Sequence, residues 1–156
     1  MNISLLADCP QEALQLAKWY WQEWACHNPD NRLENIIEKV GLGIHRDALP
    51  MAFVVHLDGQ SVAAAELKFR ELAEYPDNQY WLDGVYVTPS HRGKGIATQL
   101  IDYAISKACE LKLPHLSLRC EAHNVKLYQA RGFKVIKQEQ NKFIMAQQLE
   151  FKSDVA

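Results

Sequence analysis

Residues 82–98 read Leu82-Asp83-Gly84-Val85-Tyr86-Val87-Thr88-Pro89-Ser90-His91-Arg92-Gly93-Lys94-Gly95-Ile96-Ala97-Thr98 and hold the most informative pattern in the chain. The apolar run 85–87 predicts a strand that ends at the turn signal of residues 88–90. A loop with two glycines follows, and residues 96–111 then show the apolar spacing of an amphipathic helix. Such a loop directs backbone N–H groups and the positive end of the helix dipole at one place. The stretch therefore predicts a binding site for phosphate or diphosphate.

Two common nucleotide-binding patterns do not match this loop. A Walker loop needs a Lys-Ser or Lys-Thr pair after its last glycine, whereas Lys94 lies between Gly93 and Gly95. A dinucleotide-binding loop needs a third glycine where Thr98 stands. It also needs an acidic residue at the end of the next strand, and the next predicted strand ends near Cys120 without one.

The remaining pattern is R-x-x-G-x-A at residues 92–97, and a second motif accompanies it. Residues 85–97 resemble the acetyl-CoA-binding segment of the GNAT superfamily of N-acetyltransferases. The run L-Y-x-x-x-G-F at residues 127–133 resembles the closing motif of the same family. Strand–glycine–helix turns also occur without a ligand, but the second motif, in the family's order and spacing, argues against that alternative.

The composition is typical of a soluble globular protein, with 48% hydrophobic and 23% charged residues. A length of 156 residues predicts a single domain over residues 1–156. The net charge of −2 provides no general attraction to nucleic acid or to an acidic membrane. No basic leader precedes an apolar run at the start, and no apolar stretch approaches 18 residues. We therefore expect a protein without a signal peptide, a membrane span or a nucleic-acid partner.

The four cysteines and six histidines are scattered along the chain. The absence of a C-x-x-C pair suits free thiols in a reducing compartment, so a cytoplasmic location is expected. No histidine pair has the spacing of metal ligands, so no metal is expected.

Periodicity and turn signals predict the element order β-α-α-β-β-β-α-β-α-β-β. The predicted strands cover residues 1–6, 51–57, 61–69, 81–87, 115–120, 133–138 and 142–149. The first predicted helix runs from Pro10 to a break at 28–31. The other three predicted helices cover 32–40, 95–112 and 124–131. In the first helix, the apolar spacing predicts a buried face of Leu14, Ala17, Trp21 and Trp24.

The predicted fold class is α+β, a mixed α/β sandwich. It has a mixed, mostly antiparallel sheet of about six or seven strands flanked by about four helices, with one parallel crossover at the glycine loop. The GNAT resemblance implies the same fold. It further implies that the strands at 81–87 and 115–120 splay apart and hold the pantetheine arm of acetyl-CoA between them.

The resemblance also implies which residues bind acetyl-CoA. The loop amides would hold the diphosphate, and the first of the two splayed strands would offer its backbone groups. For the arginine of the first motif, a phosphate contact and a role in holding the loop are both open. Relatives often have an asparagine where Glu121 stands here, so Asn124 is retained only as a weak contact. The implied set is Val85, Tyr86, Val87, Arg92, Gly93, Lys94, Gly95, Ile96, Ala97, Thr98 and Asn124.

Acyl transfer from a thioester to an amine requires two proton movements. An alkylamine is protonated at pH 7, and making it neutral costs about 4–5 kcal/mol, while the leaving thiolate needs a proton donor. Tyr128 is the predicted catalytic donor, because it matches the tyrosine that often has this role in the family. Asp83 is the predicted catalytic and substrate-binding group for the amine, with Glu66 as its substitute. Strand alternation predicts that Asp83 shares a face with Val85 and Val87. A core tyrosine and a structural aspartate are the alternative interpretations.

The acceptor is the least constrained part of the prediction. Segments 66–83 and 10–30 lie where GNAT relatives bind it, and they hold acidic and aromatic residues respectively. Carboxylates beside aromatic rings suit a cationic amine, although such groups are more often solvated or in the core. The leading hypothesis is an acetyl-CoA-dependent N-acetyltransferase that acts on a small-molecule primary amine by direct attack in a ternary complex. A protein or peptide acceptor and a non-catalytic CoA-binding module are the alternatives, and a homodimer is left open.

Overall fold

A computed structural model of the chain describes residues 1–150. Within these residues, one sheet holds seven strands in the order β1-β2-β3-β4-β5-β7-β6. The strands are β1 (Asn2–Leu5), β2 (Met51–Leu57), β3 (Gln60–Phe69), β4 (Tyr80–Val87), β5 (His115–Glu121), β6 (Lys134–Glu139) and β7 (Lys142–Gln148). The α-helices are α1 (Ala13–Glu23), α2 (Leu33–Gly41), α3 (Ile96–Glu110) and α4 (Val125–Gln129). The predicted fold class and element order are confirmed, with end residues that differ by one to four positions.

Helices cover both faces of the sheet. One apolar layer joins α3 to the sheet, with Phe53, Leu67 and Val87 facing Leu100 and Ala104. The other layer joins α1 and α2 to the opposite face. Successive residues of a strand point to opposite faces, so the central strands bury nearly every residue and supply both layers.

The buried face of α1 differs from the prediction. The helix buries Leu16, Ala17, Trp19 and Tyr20, whereas Leu14 and Trp24 are 47% and 40% exposed. The predicted face, which included Trp21, is therefore wrong apart from Ala17. The helix is apolar over more than half of its circumference, so its periodicity alone did not determine which side meets the sheet.

A bulge in β4 reverses its side-chain alternation. Along β3 the register advances two residues, from Ala64 to Glu66, while along β4 it moves three residues, from Tyr86 to Asp83. The extra residue lies at the bulge around Gly84, which has a φ of +60°. Tyr86 and Asp83 therefore both face α1. The prediction that Asp83 shares a face with Val85 and Val87 is wrong for this reason.

β4 and β5 separate soon after they meet. They are the parallel pair of this sheet, and among the described residues only Trp81 and Ser117 are in register between them. By contrast, β5 and β7 keep seven pairs in register. The splayed strand pair that the family resemblance implied is therefore present, and it leaves the edge of β4 from residue 82 onward open towards β5.

Candidate active site

The glycine loop opens onto a groove of about 220 Å³. Gly93 and Gly95 have φ values of +77° and +80°, which glycine adopts without strain, and α3 begins directly afterwards at Ile96. A Cβ at either glycine would meet nothing within 4 Å, so the backbone there is open to a ligand. The first N–H groups of a helix have no partner within the helix, and α3 has no side-chain cap. The groove is lined by Val87, His91, Arg92, Gly93, Gly95, Ile96, Ala97, Thr98 and Leu127.

Seven of the eleven residues predicted to bind acetyl-CoA line this groove. Of the other four, Val85 and Tyr86 lie on the open stretch of β4, where only backbone groups were expected to act. Lys94 is exposed and does not line the groove, and Asn124 precedes α4 outside it. The sequence interpretation missed His91 and Leu127, although each lies inside a quoted motif next to a predicted residue.

Arg92 borders the groove, and its side chain makes contacts that hold the loop. Its Nε donates a hydrogen bond to the Val87 carbonyl oxygen at 2.8 Å. Its guanidinium lies 5.6 Å from the centre of the Tyr86 ring and 3.9 Å from a carboxylate oxygen of Glu23 on α1. These contacts tie the loop to the end of β4 and to α1, which favours the loop-holding role of the two that were open.

Tyr128 lies in the core beneath the groove. Its ring meets Phe133 edge-on, with centroids 5.8 Å apart, and its neighbour Leu127 lines the groove. Burial raises the pKa of the Tyr128 phenol well above its ordinary value, and the nearby Cys120 thiol adds to this. Tyr128 is therefore protonated throughout the physiological range, as a proton donor must be.

Two carboxyl groups face each other across β3 and β4, on the side of α1. Glu66 and Asp83 are cross-strand partners. Glu66 is buried and lies 3.0 Å from Lys68 Nζ, whereas Asp83 is partly exposed and lies 3.1 Å from Arg70. Burial raises the pKa of the Glu66 carboxyl, Lys68 opposes this shift, and the charge of Asp83 raises the pKa further. The structure thus brings the two predicted acceptor-binding carboxyl groups together.

An aromatic cluster lies beside this acidic pair. Trp19 stacks on Tyr86 with centroids 5.2 Å apart, and Trp24 meets the edge of Tyr86 at 6.2 Å and tilts against Tyr20 at 5.7 Å. Trp24 is 40% exposed, so a ligand can reach one side of it. The sequence had placed carboxylates and aromatic rings in two separate segments, and the fold brings them to one face of β4.

Tyr20 is one of the aromatic residues of the predicted acceptor segment. Its hydroxyl is buried beside the Glu66 carboxyl, and among residues 1–150 no partner meets the geometry of a full hydrogen bond. Burial raises the pKa of the Tyr20 phenol well above its ordinary range, and the charges of Glu66 and Asp83 add to this. A Cβ on Gly84 would lie 2.9 Å from its ring, so the bulge and the tyrosine are packed against each other.

The loop between β3 and β4 is held against the sheet at several points. Arg70 N–H bonds to the Gln79 carbonyl at 2.8 Å, and Asn78 donates to Ser117 Oγ at 3.0 Å. The Tyr75 hydroxyl donates to the Glu139 carboxylate on β6. The loop that carries Arg70, the partner of Asp83, is therefore attached to β5 and β6 rather than free in solvent.

Comparison with known proteins agrees with this geometry. The family model described as acetyltransferase (GNAT) family matches residues 13–133. No curated protein sequence matches the chain.

Three solved structures with the same fold are distant in sequence. An aminoglycoside 6′-N-acetyltransferase complexed with coenzyme A is 15% identical, with a TM-score of 0.75 over 99% of this chain and 100% of that one. The aminoglycoside 6′-N-acetyltransferase from Enterococcus faecium is 15% identical, with a TM-score of 0.73 over 99% and 100%. The PaiA N-acetyltransferase from Thermoplasma acidophilum, in complex with coenzyme A, is 21% identical, with a TM-score of 0.65 over 95% and 99%.

Two further features of the described residues concern metal ions and membranes. Residues 1–150 contain no group of three or more His, Cys, Asp or Glu side chains that could hold a metal ion. None of their helices combines the length and the apolar character that crossing a bilayer requires.

Proposed function

The chain belongs to the acetyltransferase (GNAT) family, and we propose that it transfers the acetyl group of acetyl-CoA to a primary amine of a small cationic molecule. One observation carries the proposal. The open edge of β4 connects the glycine-loop groove at Val87 to the acidic pair at Asp83. Four residues of strand span about 13 Å, so β4 joins a diphosphate site to an amine site along one unpaired edge.

Acetyl-CoA fits the residues that are present. The N-terminus of α3 and the loop amides would hold the diphosphate, because they present unpartnered donors at the positive end of a helix. The unpaired backbone of Val85–Val87 would hold the pantetheine arm as an added strand. When bound, acetyl-CoA supplies an activated thioester, so the protein needs only to position it and to move protons.

Asp83 is the proposed base. It is the more exposed of the two carboxyl groups, and the register places it beside Glu66 on the α1 side. An arriving ammonium must compete with Arg70 for Asp83. Arg70 is 42% exposed, and an exposed ion pair contributes only about 0–1 kcal/mol, so this exchange costs little.

Glu66 is the proposed second anion of the amine site. It lies deeper than Asp83 and strengthens the local negative charge, while Trp24, which is 40% exposed, offers a ring face to a cation. On the donor side, Tyr128 would give its proton to the departing sulfur. We further propose a cytoplasmic location, which the free cysteines suit.

An amine screen tests the proposal directly. Acetyl-CoA is mixed with ethanolamine, butylamine, 1,4-diaminobutane, phenethylamine and a lysine peptide, and the released thiol is measured. We expect release with at least one small amine and less with the peptide. Release with the peptide alone would favour the protein-acceptor alternative. Binding of CoA without release for any amine would favour the non-catalytic module.

A matched pair of variants tests the base. Asp83→Asn keeps the shape and removes the charge, so turnover should fall by about a hundredfold while CoA affinity is unchanged. Asp102→Asn is the control. Asp102 lies on α3, outside the site, and its carboxylate is 3.1 Å from Arg131. Equal turnover of the two variants would remove Asp83 from the mechanism.

A further inference from the structure

The groove at the glycine loop has few charges that could meet a phosphate. Among its lining residues, only His91 and Arg92 have titratable or permanently charged side chains. Arg92 is already bonded to the Val87 carbonyl and directed towards Tyr86 and Glu23. The side chains that β4, α3 and α4 contribute to the groove are neutral. His91 is thus the titratable side chain of the groove that is not committed to holding the loop.

Two hydroxyl groups hold the His91 ring in place. Its Nδ1 lies 2.8 Å from Thr88 Oγ1 and 3.1 Å from Ser90 Oγ. The residue ends the short turn Pro89–His91, and its own N–H bonds to the Thr88 carbonyl at 2.9 Å. When the hydroxyls donate to Nδ1, the proton of the neutral ring lies on Nε2, which has no partner among the described residues.

We propose that His91 is a binding residue for the diphosphate of coenzyme A, with Nε2–H donating to a phosphate oxygen and Thr88 and Ser90 orienting the ring. The inference rests on the proposed function, because it takes the groove as the diphosphate site. The backbone amides of the loop remain the invariant part of the site. His91 adds one side-chain donor to this set.

A consequence follows for the strength of binding. A hydrogen bond to an ionised phosphate oxygen is about twice as strong as one between neutral groups. Removing the His91 side chain should therefore weaken binding of the diphosphate by about fivefold, whereas a replacement that can still donate should keep most of the affinity.

Calorimetry with dephospho-CoA tests this inference. That ligand keeps the diphosphate and lacks the 3′-phosphate, so its binding reports the diphosphate contacts without those of the 3′-phosphate. Wild-type protein, His91→Gln, His91→Ala and the control His45→Gln are titrated in the same buffer. His45 is exposed, and its Nδ1 lies 2.9 Å from the Pro50 carbonyl oxygen, outside the groove. Circular dichroism checks that each protein is folded.

The expected results separate the side-chain hydrogen bond from the contacts of the loop amides. Wild type and His45→Gln should bind dephospho-CoA alike. His91→Gln, whose amide can still donate, should bind like wild type, whereas His91→Ala should bind about fivefold more weakly. An unchanged affinity in His91→Ala, or an equal loss in His91→Gln and His91→Ala, would overturn the role of His91 alone. No wild-type binding would overturn the proposed function as well.

Discussion

At the scale of single residues, burial sets how Tyr128 can act. Its pKa lies well above the ordinary value because burial and the neighbouring Cys120 both disfavour the phenolate. The phenol is consequently a weaker acid than an exposed tyrosine and stays protonated at neutral pH, so it is available to donate a hydrogen bond to a departing thiolate.

Replacing Tyr128 by phenylalanine removes this proton while leaving the ring against Phe133. We expect turnover to fall by about a hundredfold and CoA affinity to change less than about twofold. Thiol release and calorimetry with CoA measure the two quantities. Tyr103→Phe is the control, because Tyr103 packs on Phe53 in the layer under α3. A collapse of CoA affinity in Tyr128→Phe would show a structural role instead.

Glu66 predicts a pH-dependent stability. Burial raises the pKa of its carboxyl above the usual 4.5, so the folded chain holds this proton more tightly than the unfolded chain. The contribution of Glu66 to the free energy of unfolding therefore falls as pH rises from about 4.5 through the raised pKa. Removing the charge with Glu66→Gln should abolish that fall, so the variant should gain stability relative to wild type as pH rises.

Denaturant unfolding of Glu66→Gln between pH 4 and pH 8 measures this difference. Lys68, which loses its partner, is 32% exposed and can turn to water at small cost. Glu110→Gln is the control, since Glu110 is 61% exposed beside Lys107. Stability curves for wild type and Glu66→Gln that stay parallel over the range would contradict a raised pKa.

At the scale of elements, the β4 bulge depends on one glycine. Gly84 has a φ of +60°, and a Cβ there would lie 2.9 Å from the Tyr20 ring. Gly84→Ala should therefore lose about 1–2 kcal/mol to the left-handed backbone and about 1–3 kcal/mol to overlap. It should also weaken amine turnover, because Asp83 is adjacent to the bulge.

The hairpin turn between β2 and β3 provides the matched control for this change. Gly59 has a φ of +79° with nothing within 4 Å of an added Cβ, so Gly59→Ala carries the backbone cost without the overlap. Urea unfolding of both variants isolates the contact between the bulge and Tyr20. Equal losses in the two variants would show that the packing against Tyr20 is loose.

At the scale of the whole molecule, ligand binding should stabilise the fold. In the proposed function, CoA would contact a groove built from β4, α3 and α4, which exists only in the folded chain. At a ligand concentration of 100 times Kd, the free energy of unfolding rises by about 2.7 kcal/mol. For a domain of this size, that corresponds to a rise in Tm of about 5–10 °C.

Thermal melts with CoA and with pantetheine at equal concentration test where this stabilisation arises. If the loop amides hold the diphosphate, pantetheine should raise Tm much less than CoA. Equal shifts with the two ligands would place the main contact on the β4 edge rather than at the loop.

Local sequence was sufficient to predict the elements and the glycine loop that opens α3. The positive φ values of Gly93 and Gly95 and the start of α3 at Ile96 depend on residues close together in the chain. Residue preferences and hydrophobic periodicity report such short-range features directly. The two motifs, 30 residues apart, also indicated that the loop and Tyr128 belong to one fold.

Tertiary structure decided which groups meet. The bulge at Gly84 exists because β4 pairs with β3 in a particular register, and this one extra residue moved Asp83 to the side of Tyr20. Arg92 connects the loop to α1 because the fold brings Glu23 of α1 close to its guanidinium. Such arrangements depend on contacts between segments far apart in the chain, whose free energies compete only once the whole core is packed.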